Sequence, residues 1–197
     1  FSQKGESTCV LDLDLQMGDV VAAMGLEPTI PISEAMEQMQ KSPTWDVKAM
    51  PTHELGTQIF SQVGFIDALD QITAEKFPSF ITGLRHYYKR IIVDGVRDFS
   101  DNVLALLDIA DHVVLITVQE TLAIRRAKWA YQIMCKVGFR PHDITVVISQ
   151  YNPNAPITYE QVSQAMAPAP VIYAVSDPVL AFNALNDNKP LSVLKPK

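Results

Sequence analysis

The sequence predicts an α/β fold, three-layered, with a mostly parallel β-sheet flanked by helices. Three observations predict it. Five short runs rich in Val and Ile are nearly continuous in apolar character, as expected of strands buried on both faces. Stretches of helical periodicity separate them, and a β-α-β-α rhythm implies parallel strands with right-handed crossovers. Two of the apolar runs end in aspartates, and the carboxyl edge of such a sheet is where ligands bind.

Taken in order, the strands are expected at residues 9–13, 90–93, 112–118, 144–149 and 171–175. Helices are expected at 74–89, 101–109, 121–137, 158–166 and 178–186, with Gly138 placed to cap the third. Residues 26–71 form the least regular part, broken by Pro28, Pro31, Pro43 and Pro51, with a short helix at 33–40. That stretch reads as a surface excursion able to supply partner contacts. A length of 197 residues suits one sizeable domain, and 48% hydrophobic with 19% charged residues allows a generous core.

The net charge of −6 argues against nonspecific DNA binding, which depends on neutralising phosphates with Lys and Arg. Cys9 and Cys135 lie in apolar segments without metal-ligand spacing and read as buried thiols of a reducing, cytoplasmic setting. No apolar run is long enough to span a bilayer, and no signal peptide is visible. The start at Phe1 suggests an N-terminal truncation. His53, His86, His112 and His142 are scattered and read as structural or exposed. On the helix at 121–137, Arg125 and Arg126 read as a solvated face, while Trp129 and Tyr131 are expected to pack.

The segment Val10-Leu-Asp-Leu-Asp-Leu-Gln-Met-Gly-Asp19 carries the most chemistry. Residues i and i+2 of a strand share a face, so Asp12 and Asp14 are expected to point the same way at the strand's end. Nearby carboxylates repel unless a cation, water or donor lies between them, which suits a metal-bound polyphosphate. Asp19 is placed to cap a helix starting at Val20. A second apolar strand, Arg90-Ile-Ile-Val-Asp94, has the form of a Walker B element, in which a carboxylate at the strand tip holds Mg²⁺.

These motifs resemble the MinD/ParA family of deviant Walker ATPases, and within it the TadZ/CpaE proteins of Tad (Flp) pilus assembly. The matching segments are VLDLDLQMGDV, then YYKRIIVDGVRDFSDNVLALLDIADHVVLITVQETLAIRRA, then SDPVLAFNALNDNKPL, which together cover most of the chain outside 26–71. The resemblance implies a P-loop NTPase-like fold, ATP and Mg²⁺ as cofactors, and a homodimer. It implies that Asp14 orients the attacking water, that Asp12 supports the Mg²⁺ shell and that Asp94 holds the metal. It further implies that Lys4, followed by Gly5, is the phosphate-binding signature lysine, and that Asp177 and Pro178 lie near the adenine.

The chain departs from the family pattern in several places. A phosphate loop needs G-x-x-x-x-G-K-[ST], but Lys4-Gly5 here runs into Glu6-Ser7-Thr8 and the next strand. A crossover between parallel strands takes at least about 10–12 residues. The expectation is therefore one ATPase-like domain over 1–197 with a segment missing between residues 5 and 6. Val96 and Val175 stand where the family carries Pro, and Asn188 replaces a Gly, a change the left-handed conformation tolerates. Ser149-Gln150 replaces the family's adenine-contacting Asn-Arg pair, with Ser149 still able to hydrogen-bond.

The functional expectation is an ATP-binding, dimerising positional switch, with weak Mg-dependent hydrolysis in play, that localises pilus-assembly machinery at a cell pole through protein partners. One alternative is a nucleotide-independent scaffold with the same fold. The other is a ParA-like DNA partition ATPase, which the acidity disfavours. The tail 190–197 is too short and proline-interrupted to be an amphipathic membrane anchor.

Overall fold

A computed structural model describes residues 1–42 and 45–194; Pro43, one of the expected breaks, and the tail residues 195–197 lie outside the described residues. In chain order the elements are β1 (Thr8–Asp12), α1 (Val20–Ala23), α2 (Ile32–Lys41), β2 (Thr57–Phe60), α3 (Phe77–Leu84), β3 (Arg90–Asp94), α4 (Asp101–Leu107), β4 (Val113–Thr117), α5 (Thr121–Lys136), β5 (Ile144–Tyr151), α6 (Tyr159–Met166), β6 (Val171–Val175), α7 (Pro178–Asn186) and α8 (Leu191–Leu194). They pack as two compact units, Phe1–Ile109 with the segment from Leu180 onward, and Ala110–Val179. Each holds a three-stranded, all-parallel sheet, in the orders β2-β1-β3 and β4-β5-β6.

In the first unit, β1 is central and buried along most of its length. Cys9 and Leu11 face a core built with Ile32 and Met36 of α2, Phe77, Phe80 and Leu84 of α3, and Phe60 of β2. Phe60 meets Phe80 and Tyr88 edge-on, at centroid distances of 5.9 and 6.1 Å, the arrangement that aromatic quadrupoles favour. Burial pushes the Cys9 thiol up to about 12, so it is a packing group rather than a nucleophile. β2 emerges from the region read as irregular. It is short, and its backbone is bridged on the outer side by Pro51 and Thr52, so no long apolar run announces it. The helix expected at 74–89 is split: a 3-10 turn at Ala74–Lys76 leads into α3, with Pro78 in its first turn, and the helix closes at Leu84.

The second unit packs one face of its sheet under α5 and α6. Ile144, Val146 and Ile148 of β5 are buried, as are Ala127, Tyr131 and Met134 of α5 and Val162 and Met166 of α6, with α5 against β4 and α6 against β6. Strand register sets Val114 and Ile116 of β4, Val147 of β5 and Ile172 of β6 on the opposite face. Val114, Ile116 and Ile172 are each more than half exposed. Parallel sheets usually cover both faces, so this apolar face is an unusual feature. On α5, Tyr131 packs as expected, but Trp129 does not; its position on the helix turns it outward.

Candidate functional site

Because the strands of the first sheet are parallel, the ends of β1 and β3 share one edge, and register sets Asp12 directly beside Asp94. The ladder continues one residue further, with the Leu13 N–H donating to the Asp94 carbonyl at 2.9 Å. The strand alternation then stops. The Asp12 carboxylate turns into the loop and accepts from the Asp14 N–H at 3.1 Å and the Val20 N–H at 3.2 Å. Asp12 and Asp14 therefore do not share a strand face, contrary to the period-2 expectation. The cap of α1 differs as well: Asp19 occupies the capping position without a side-chain bond, and Asp12 satisfies the free amide of Val20 from eight residues upstream.

Asp12 is only 1% exposed. Burial pushes its carboxyl above the usual range, the two backbone donors oppose the rise, and the charges of Asp94 and Asp14 add to it. Asp14 is half-buried on the turn that follows. Its carboxylate accepts from the Met17 N–H at 3.2 Å and pairs with the Arg97 guanidinium at 2.8 Å. Asp94 is exposed, and among the described residues its carboxylate makes no hydrogen bond or ion pair. The edge thus holds one buried acid with a backbone donor on each oxygen, one acid tethered to an arginine and one open acid.

Two glycines let these segments close together. A Cβ on Gly18 would lie 2.3 Å from an Asp12 oxygen. Gly95 has φ +82°, and a Cβ there would lie 2.5 Å from the Asp14 nitrogen. Sequence reasoning named the three acids but missed Arg97, Gly18 and Gly95. A cation three residues beyond Asp94 and a glycine beside it were the available signals.

Within the first unit, Lys4 and Gly5 lie apart from this edge. Lys4 and Gly5 sit in a closed 3-10 turn at Ser2–Lys4, where the Gly5 N–H donates to the Ser2 carbonyl at 2.9 Å and the Glu6 N–H to the Phe1 carbonyl at 3.3 Å. Ser2 hydrogen-bonds Thr57 at the start of β2, and Arg90 at the start of β3 covers the Phe1 ring. This turn is therefore at the amino edge of the sheet, the full length of β1 away from the acids, on the order of 13 Å at strand rise. In this structure the turn and the acids form no common phosphate cradle. Ser149, Asp177 and Pro178 belong to the second unit. Ser149 is half-buried at an irregularity in the β5–β6 ladder, beside Gln150 in the left-handed conformation at φ 54°, while Asp177 and Pro178 are exposed after β6. Asn188 takes the expected left-handed conformation, with φ 50°.

The donor set does not amount to a protein-built metal site. Among the described residues no group of three or more His, Cys, Asp or Glu is arranged to hold a metal ion, and both Asp12 oxygens are already engaged by backbone donors. Of the three acids, Asp94 is the one with open carboxylate oxygens for a hard cation, which prefers an oxygen shell completed by water or phosphate.

No protein-family model matches the sequence, and no curated protein matches it. Solved structures match in fold. A ParA family ATPase from Chlorobium tepidum TLS superposes with a TM-score of 0.86 at 15% identity, covering 98% of this chain and 81% of that one. The septum site-determining protein MinD complexed with Mg-ADP, from Pyrococcus horikoshii OT3, gives 0.80 at 17% identity, covering 100% and 79%. A chain of the MinC:MinD cell division protein complex of Aquifex aeolicus gives 0.77 at 16% identity, covering 98% and 78%. The fold is therefore the one that MinD and ParA ATPases share, with parallel sheets flanked by helices.

Proposed function

We propose that the chain is a positional switch of the MinD/ParA kind, localising Tad/Flp pilus-assembly machinery and working through the carboxylate edge of its first unit. The observation that supports this is the convergence of Asp12, Asp14 and Asp94 at the carboxyl ends of β1 and β3. In this reading Asp94 lends its open carboxylate to the hydrated cation of a bound nucleotide. Asp12 holds the loop, through the amides of Asp14 and Val20, so that Asp14 is presented at the rim. Arg97 fixes the Asp14 carboxylate until the loop is engaged. ATP with Mg²⁺, when bound, would supply the charge and phosphate contacts that tie two copies together, and Asp14 would place water for weak hydrolysis.

A second reading is favoured by a different observation. Lys4 and Gly5 sit at the far edge of the sheet, and both Asp12 oxygens hold backbone amides, so the chain would act as a nucleotide-independent scaffold that keeps the fold and its docking surfaces. Calorimetric titration of the chain with Mg-ATP separates the two. The switch predicts saturable heat that EDTA and Asp94→Ala abolish. Absence of heat across millimolar nucleotide contradicts the switch and supports the scaffold.

A further inference from the structure

α5 has two faces with different tasks. Ala127, Tyr131 and Met134 seat it on the second sheet. At 100° per residue, Leu122, Arg126, Trp129, Ile133 and Lys136 fall on the opposite side, within a stripe of about 80°. Leu122 is 61% exposed, Trp129 58% and Ile133 37%. Apolar side chains of this size seldom line up in solvent without a purpose.

The stripe steps 4-3-4-3 along the helix, the spacing of a helix-pairing seam. Its charge is one-sided. α5 carries Arg125, Arg126, Lys128 and Lys136 and no acidic residue, in a chain whose net charge is −6. Among the described residues none of these four cations makes an ion pair.

We propose that this outer face of α5 docks an acidic amphipathic helix of a partner protein. Leu122, Trp129 and Ile133 meet the partner's apolar seam, and Arg125, Arg126 and Lys136 meet flanking Asp or Glu. The pattern fits this occupant better than nucleic acid, whose backbone contacts need cations but no apolar row. It also fits better than a membrane. The row is one side chain wide and interrupted by Arg126, and the buried face prevents the helix from rolling to insert deeper. The proposal stands independently of any nucleotide, because it uses only residues of one helix.

The test uses the full chain and a designed helical peptide of about three heptads, with Leu along its seam and Glu on its flanks. Trp45 and Trp129 are the two tryptophans of the chain, so Trp45→Phe leaves Trp129 as the reporter. Calorimetry on the unsubstituted chain gives the same reading if that change disturbs the core. The expected result is a saturable blue shift of Trp129 emission that weakens with salt and needs at least about tenfold more peptide in Arg125→Glu/Arg126→Glu. Circular dichroism checks that this variant keeps its fold. Failure to saturate overturns the proposal. Equal binding by the charge-reversed variant, or by a Lys-flanked peptide, overturns it too. A Trp129 shift with phosphatidylglycerol vesicles but none with the peptide overturns it in favour of a lipid surface.

Discussion

Asp12 meets two opposing demands. Burial disfavours its ionised form, while two backbone N–H groups are held by the same carboxylate. The net effect is a folded-state affinity for the proton above that of the unfolded chain, so the group's contribution to stability is greatest in acid. It declines as pH rises from the ordinary carboxylate range through the raised value, and is constant above it. Thermal melts between about pH 4 and about pH 7 are expected to show this decline, and Asp12→Asn is expected to flatten it. Gly95→Ala forces a Cβ against the Asp14 amide at a left-handed φ and is expected to cost about 1–3 kcal/mol in urea denaturation. Amides of the turn around Asp14 are expected to exchange faster in that variant. The acids themselves were legible in the sequence, because apolar runs that end in Asp mark strand tips. Their individual states were not. The turn closes through Gly18 and Gly95, and it is this closure that sets backbone donors on both Asp12 oxygens and brings Asp14 to Arg97.

At the scale of elements, regular segments with a strong period were the legible ones. β6 and α7 coincide with the sequence expectation, and α5 differs at its end by one residue. β2 escaped because four residues in a proline-broken region give too little pattern, and the sheet supplies what the local sequence does not. The cap of α1 escaped because its donor comes from β1 rather than from the adjacent Asp19. Trp129 was expected to pack because aromatic residues on a helix usually do, but only one face of α5 has a sheet to cover it. The outer face of β4 is likewise apolar at alternate residues, as in a strand buried twice, with Val114 and Ile116 exposed. The double substitution Val114→Thr/Ile116→Thr is expected to raise the temperature and concentration at which the chain aggregates. Its unfolding free energy is expected to change by less than about 0.5 kcal/mol per site, as for exposed positions elsewhere. Light scattering during a thermal ramp, with calorimetry in parallel, checks both.

At the scale of the whole molecule, the alternation of apolar runs and helices was enough to give the fold class, since parallel strands require intervening helices. No change of composition marks Ile109–Ala110, where α4 passes into β4 and one compact unit gives way to the next along the chain. Among the described residues no helix is long and apolar enough to cross a membrane. The functional account depends on the carboxylate edge responding to nucleotide by pairing two copies of the chain. Its most direct test is the molar mass of the chain in solution by light scattering, with and without Mg-ATP. The account predicts that the mass doubles with Mg-ATP, stays at the single-chain value in EDTA, and stays there with Mg-ATP in Asp94→Ala. A mass that is the same with and without Mg-ATP would contradict it.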